Sequence, residues 1–481
     1  MDVAFAAAVR HGTTATHDAD PQALAGLEGG QIAGTGGWDY SRLAPAVDVM
    51  EIYEAGSNVA MARAFNPRLK ILATSFEGGP AGLWRIWRSL LGGGAGLVIW
   101  DDAVDLVAAD GTPSPRAQEM APVLREIGAG LGAQLVAGRI SHDRVAVLYS
   151  GASQRVRWLL DRRAGGPAWS ARGSEAEGVE DDASRRSLRP VMASLSHLGV
   201  QPRFMSSEQL EAGALRSAGA DARPLLLVLP HAIALSDREA AEIATFANAG
   251  GTVLADGEPG RYDDHGRRRD AAKPGLTFTP MPPDLDAMAA ALARAGAAPR
   301  LRLLGADGVP VRDVQAHLFR DGGVTLVGLQ RDPAGTTRRL VVELPAPAWL
   351  HDLRSGAVRE ASTRHEISLS AEAPAVFALA AARLPQPTLS GPRELRAGGT
   401  AVWRLALNAA TPAAAHVLHV ELTGPDGIIA PLYSGNLVLR GGAGIWTAPF
   451  AVDDAAGTWQ IRVTDRLGGG VATGQVVLKA P

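Results

Sequence analysis

The 481-residue chain contains no cysteine. That removes disulfides, cysteine nucleophiles and zinc–thiolate sites together. Lysine is almost absent: only Lys70, Lys273 and Lys479 occur, so 44 of the 47 basic residues are arginine. Beside 56 glycines, this arginine bias reads as genomic base composition and carries no functional signal. Excess charge is missing too. The formal net charge is -3, and a phosphate backbone selects a basic face, so no nucleic-acid partner is expected. No apolar run is long enough to span a bilayer, so no membrane partner is expected either. Met1 to Arg10 lack the basic start and long apolar core of a signal peptide, and Phe5, Ala8 and Val9 read as the end of a helix.

What is present suffices for several ordinary cores: 46% of residues are hydrophobic, and the length suggests roughly three or four domains. The organising stretch is Arg68 to Asp102. Two short apolar runs, ending near Glu77 and Trp100-Asp101-Asp102, flank a segment with Leu83, Trp84, Ile86, Trp87, Leu90 and Leu91 at helical spacing. This is a β-α-β unit, with Trp84 and Trp87 read as core. In an α/β barrel the catalytic groups sit at the C-terminal ends of parallel strands, which singles out Glu77.

The fold class expected is multidomain, α/β followed by all-β. Residues 1–137 carry four β/α units, with strands at Gly29–Gly34, Val47–Glu54 and the two of the organising stretch. A last helix carries Met120, Val123, Leu124, Ile127 and Leu131 on one stripe. A closed barrel needs eight strands, so half a barrel is expected, completed by a longer product or by another polypeptide. Residues 138–300 read as a flavodoxin-like, doubly wound unit with strands Val145–Tyr149, Leu225–Leu229 and Thr252–Ala255. Ser236 and Glu239 form a capping box, and Gly250 stops the helix that follows. The turn Ser150-Gly-Ala-Ser153 lacks a phosphate-binding glycine pattern, so no nucleotide and no other cofactor is expected. From 301 to 385, alternation at period two in Val324–Leu329 and Leu340–Leu344 indicates a small β-sandwich. Prolines 385, 387 and 392 mark a linker. Residues 393–481 read as an immunoglobulin-like sandwich, with strands near Ala401–Leu407, Val417–Leu422, Gly444–Pro449, Trp459–Asp465 and Gly474–Leu478.

Three stretches carry a family resemblance: Trp38-Asp-Tyr-Ser-Arg-Leu with Val47-Asp-Val-Met-Glu-Ile-Tyr53; Ile71-Leu-Ala-Thr-Ser-Phe-Glu77-Gly-Gly; and Gly94-Ala-Gly-Leu-Val-Ile-Trp100. In this order of parts the chain resembles the C-terminal portion of glycoside hydrolase family 42 β-galactosidases: TIM-type barrel, flavodoxin-like trimerisation domain, small β domain. The resemblance covers roughly residues 25 to 380, and the last sandwich lies outside it. It implies a partial TIM-type barrel whose sixth, seventh and eighth strands are these stretches, with Glu77 in the position of the catalytic nucleophile. It implies double-displacement hydrolysis, a galactoside-like carbohydrate as partner and a homo-oligomer, a trimer. The family's acid/base glutamate lies on the fourth strand, and no residue here matches it. Losing a proton donor costs about 10²- to 10⁴-fold in rate. Some members carry a cysteine-ligated zinc, which this sequence cannot supply.

Plainer roles stand beside these. Glu77 has the alternative of capping the next helix. Glu51, Tyr53 and Glu54 are substrate-binding candidates at one strand end, although side chains alternate and one of the two glutamates then faces solvent. Trp100 and Asp101 are candidates at the next strand end; Trp100 has rim packing as its alternative. His231 follows a sheet strand and is read as structural. Arg261 to Asp270 is a solvated charged loop, or it reaches a neighbouring subunit's barrel mouth. The alternative to a hydrolase is a non-catalytic assembly or carbohydrate-associated protein with a vestigial barrel.

Overall fold

The computed structural model describes residues 2–30, 38–54, 57–101, 106–163, 183–217, 219, 222–270, 276–331, 337–407 and 414–481. The chain enters through helix α1 (Asp2–Ala19), with Asp2 in its first turn and His17 in its last, each complementing the helix dipole. The apolar residues near Phe5 therefore begin a helix and do not end one. It continues through Gly12 and a threonine-rich stretch of weak helix formers, where Thr14 and Thr16 donate to the carbonyls of Arg10 and Gly12.

Four strands follow, β1 (Gly26–Gly30), β2 (Val49–Ile52), β3 (Lys70–Ser75) and β4 (Gly96–Ile99). They pair in sequence order, and every pair is parallel. Helices α2 (Tyr40–Leu43), α3 (Asn58–Phe65) and α4 (Gly79–Leu91) form the connections. Most of the weak strand expected at Gly29–Gly34 falls outside the described residues. Met50, Ile52 and Ile71 point to the helix side and join a large apolar core. The alternate residues, Glu51, Leu72, Thr74 and Val98, share the other face through the pairings Glu51↔Leu72 and Thr74↔Val98.

The stripe expected on one straight helix is split. Helix α5 (Pro115–Glu126) stops, residues 127–131 turn irregularly, and α6 (Gly132–Ala137) resumes. Gly130 sits at φ 101°, and a Cβ there would stand 2.9 Å from Arg466 Cγ, so only glycine fits.

After the short strand β5 (Arg139–Ile140) comes a second parallel sheet: β6 (Val145–Tyr149), β7 (Arg203–Ser206), β8 (Leu226–Leu229), β9 (Thr252–Ala255) and β10 (Thr279–Pro280). Its spatial order, β10-β9-β8-β6-β7, is a doubly wound one. Helices cover both faces. Val145, Val147, Leu226 and Val228 pack with α3, with α8 (Ala183–His197) and with a later helix around Met288. Ala146, Leu148, Leu227 and Leu229 pack on the opposite side against Ile243 and Phe246 of the helix Asp237–Asn248. That helix opens on the Ser236–Glu239 capping box, as the spacing predicts. The helix α7 (Gly151–Arg163) follows β6.

The remaining chain is β. Strands β11 (Arg302–Gly305), β12 (Val314–Asp321), β13 (Val324–Arg331), β14 (Arg338–Asp352), β15 (Val358–Leu369) and β16 (Ala375–Ala380) join β5 in one seven-stranded sheet. It bends round a core that includes Val327, Leu340, Leu350 and Phe377. Strand β14 runs through Pro345 and Pro347, with the register shifting between Glu343 and Ala348. A bulge is where a strand tolerates proline. The outer face packs on Trp87, Leu90 and Leu91 of α4, so Trp87 is core as expected. Trp84 is half-buried, and its indole N–H donates to the Arg331 carbonyl.

The last module pairs a three-stranded sheet, β17 (Pro387–Ser390), β19 (Thr400–Leu407) and β22 (Ala443–Pro449), with a five-stranded one. The second contains β18 (Glu394–Arg396), β20 (His416–Thr423), β21 (Gly435–Leu439), β23 (Gly457–Asp465) and β24 (Val471–Lys479). Trp403, Trp459 and Phe450 lie between them. Buried Gln134 of α6 docks this module by donating to Ala415 O (2.8 Å) and accepting from Val417 N (3.0 Å). Among the described residues no helix is long and apolar enough to cross a membrane.

Candidate functional site

Among the described residues, the helices that pack on the first sheet lie on its Met50, Ile52 and Ile71 side. On the other side, the C-terminal ends of β2, β3 and β4 bring three aromatic residues into a row. Tyr53 and Phe76 meet edge to face at 5.4 Å, and Phe76 and Trp100 lie 6.3 Å apart at a tilt. Phe76 is 50% and Trp100 40% exposed. The register explains the row: Trp100 donates its N–H to Ser75 O at 3.0 Å, extending the β3–β4 ladder by one residue.

Glu51 lies below the row and is 4% exposed. One carboxylate oxygen accepts the Gly29 N–H at 2.7 Å, and the other accepts the Thr74 hydroxyl. It thereby ties β1 and β3 to β2, and a buried carboxylate is stable when its oxygens are so engaged. Burial, and next the negative charges of Glu51 and Glu28, push the Tyr53 hydroxyl up in pKa, so it remains a hydrogen-bond donor through neutral pH.

Glu77 follows Phe76 and is half-exposed. Its carboxylate pairs with Arg85 Nη1 of α4 at 3.0 Å. It does not cap α4, whose N-cap is Gly78 with no side-chain hydrogen bond. Glu54 turns away from the row: it accepts the Val59 N–H at 2.7 Å, at the start of α3. Asp101 accepts the Leu106 N–H at 3.2 Å. Asp102 lies outside the described residues. Of the six sequence candidates, then, Tyr53 and Trp100 join one aromatic row through Phe76, Glu51 lies beneath it, Glu77 flanks it, and Glu54 and Asp101 hold backbone.

Three contributors were not singled out from the sequence. Phe76 bridges the two other rings, and strand parity finds it, two residues after Thr74 on the same face. Glu28 adds negative charge near Tyr53. Arg116 of α5 donates to Trp100 O (2.9 Å) and Ser75 O (3.3 Å), clamping the ends of β3 and β4; no local pattern announces such a contact.

Other singled-out residues lie elsewhere. His231, after β8, adopts a left-handed backbone (φ 47°), and its N–H donates to Asp256 at 2.6 Å. The Arg261–Asp270 run folds back on itself, anchored by Arg269, which reaches Leu235 O (3.0 Å) and Asp237 (2.8 Å). Asp263, Asp264 and His265 cluster at its tip, where Asp263 already accepts two backbone N–H groups.

No family model matches the sequence, and no curated protein matches it. Among solved structures, an apo exo-carrageenase GH42 from Bacteroides ovatus aligns with a TM-score of 0.50 and 12% identity, over 76% of this chain and 53% of that one. The chain thus spans about half the length of that enzyme. The likeness is one of fold, a distant GH42-like arrangement. A CARDB domain from Pyrococcus furiosus (14% identity, 20% of this chain and 90% of that one) and a Salmonella alpha-2-macroglobulin (12%, 35% and 16%) each align at a TM-score of 0.16, too low to support any argument.

Proposed function

We propose that the open face of the first sheet binds carbohydrate, and that the chain is the C-terminal part of a retaining glycoside hydrolase resembling β-galactosidases. In this reading β1–β4 are the last four staves of an eight-stranded barrel, β6–β10 form a flavodoxin-like assembly unit, and the terminal pair of sheets is an immunoglobulin-like module. The observation that carries it is the row Tyr53–Phe76–Trp100. It stands where such folds present their sites, and exposed flat rings offer apolar area to the C–H faces of a sugar.

Glu77 takes the nucleophile's role, attacking the anomeric carbon to give a glycosyl-enzyme ester that water then hydrolyses. Retention requires a second carboxyl about 5 Å away to protonate the departing oxygen. The rest of the barrel supplies that group. The test follows from this chemistry: a dinitrophenyl galactoside, whose leaving group needs no protonation, bypasses the missing acid. The chain is expected to release dinitrophenol slowly from it and to lose this activity in Glu77→Gln. Release unaffected by Glu77→Gln removes the assigned role.

One observation favours a second reading, a non-catalytic carbohydrate-associated protein: the Glu77 carboxylate is already engaged by Arg85. That reading predicts sugar binding with no turnover of the dinitrophenyl substrate. We further propose a trimer, with the Arg261–Asp270 loop reaching a neighbour. Sedimentation of a stable monomer at micromolar concentration would count against it.

A further inference from the structure

The turn from β3 to α4 carries Phe76 and Glu77, yet little within it fixes its course. Gly78 is the N-cap of α4 and makes no side-chain hydrogen bond, and Gly79 follows at φ 71°, in the left-handed region. Adjacent glycines leave the backbone its widest freedom. A helix start without a capping side chain leaves its first N–H groups to find acceptors elsewhere.

The restraint comes from α5, the helix that follows β4. Arg116 lies in its first turn. The stem of Arg116 crosses Gly78, where a Cβ would stand 3.0 Å from Arg116 Cγ. Its guanidinium donates to Ser75 O at 3.3 Å and Trp100 O at 2.9 Å. Glu119, one turn further along the same helix face, accepts the Gly79 N–H at 2.9 Å. One face of α5 therefore holds the last residue of β3, the residue after β4 and both glycines of the turn. The helix can bear this because it is itself fixed. Pro115 opens it, and the Ser114 hydroxyl accepts the Ala117 N–H at 3.1 Å. Met120 is buried, and Val123 packs on the cluster that holds Trp87 and Leu91 of α4.

We propose that Arg116 and Glu119 are positioning residues of the candidate site: from the following helix they hold the Phe76–Gly79 turn, and so set the Phe76 ring in the aromatic row and the direction of Glu77. Small displacements of such groups cost much more in binding and rate than in stability. The effect on a ligand rests on the carbohydrate reading of the row; the restraint on the turn does not.

The test compares the intact chain with Glu119→Ala, Glu119→Gln, Arg116→Ala and Arg116→Lys by amide hydrogen exchange, urea unfolding and titration of a linear galacto-oligosaccharide. Glu119→Ala removes the acceptor of the Gly79 N–H. Exchange at that amide is expected to rise about tenfold, while exchange at Val147 and the urea midpoint stay close to those of the intact chain. Glu119→Gln keeps a carbonyl acceptor at the same reach and should restore most of the protection and of the sugar affinity. Arg116→Ala releases both strand ends and should weaken sugar binding about tenfold or more. Arg116→Lys, whose ammonium lacks the fork that spans two carbonyls, should fall between. If Arg116→Ala fails to fold, the two Glu119 variants decide alone. Unchanged Gly79 exchange in Glu119→Ala, no rescue by Glu119→Gln, or full sugar affinity in Arg116→Ala overturns the proposal. If the intact chain binds no sugar, the carbohydrate reading fails by itself, and Gly79 exchange still decides whether α5 holds the turn.

Discussion

The molecule contains two parallel sheets that differ in one respect. The sheet β6–β10 has helices on both faces, and its central strands β6 and β8 are continuous apolar runs, buried at every position. The sheet β1–β4 has helices on one face, and its other face carries Glu51, Thr74 and a half-exposed aromatic row. A strand buried on both sides has no room for chemistry, because each residue is committed to packing. A strand with one free face spends alternate positions on something else. Function is therefore sought on the first sheet, although the second is the better formed.

The comparison is broken most forcefully by truncating one leucine in each sheet. Leu227→Ala in the covered sheet should cost about 2–5 kcal/mol, by lost transfer energy plus a cavity. Leu72→Ala on the open face should cost about 1 kcal/mol or less, since water already reaches it. Urea midpoints at unchanged m-value measure both. Equal losses would mean that the open face is covered in solution.

Next in size is acid sensitivity, which belongs to the covered layers. His142 and His317 titrate near 4 when folded and near 6.5 when unfolded. The unfolded chain therefore binds more protons between these values, so stability is complete above pH 6.5 and falls as pH drops toward 4. The full loss is about 3 kcal/mol per histidine. His317→Gln should flatten the profile of unfolding free energy against pH; an unchanged slope would show that His317 is not neutral in the fold.

A smaller effect separates the two sheets by their polar groups. Glu51→Ala leaves the Gly29 N–H and the Thr74 hydroxyl without their acceptor and should cost about 1–3 kcal/mol. Hydrogen exchange at Gly29 should accelerate more than at Val147, a strand centre of the covered sheet. Smallest of all is the stability effect of Trp100→Ala, within about 0.5 kcal/mol by the same denaturation measurement, because the ring sits at a strand end and is 40% exposed.

Much of the architecture was legible because it was written in apolar periodicity. The runs of β2, β3, β4, β6, β8 and β9, the Ser236–Glu239 capping box, and the five longest strands of the last module all stand out as patterns. Strands β17, β18 and β21 were not legible: they are short, and exposed residues interrupt their patterns. The break at Gly130 was hidden because the irregular turn there is met by a distant residue, Arg466, which donates to the Ala129 carbonyl from more than three hundred positions away. At the candidate site, Tyr53 and Trp100 could be picked out as strand-end aromatics, whereas the tie from Glu51 to Gly29 and Thr74 exists only once three strands are paired.

The central claim, that the open face of the first sheet receives carbohydrate, is tested most directly by titrating a linear galacto-oligosaccharide into the intact chain and into Trp100→Ala, with tryptophan fluorescence and calorimetry as readouts. The account predicts saturable binding by the intact chain that weakens about tenfold or more in the variant. Full affinity in Trp100→Ala, or no binding by the intact chain, would contradict it.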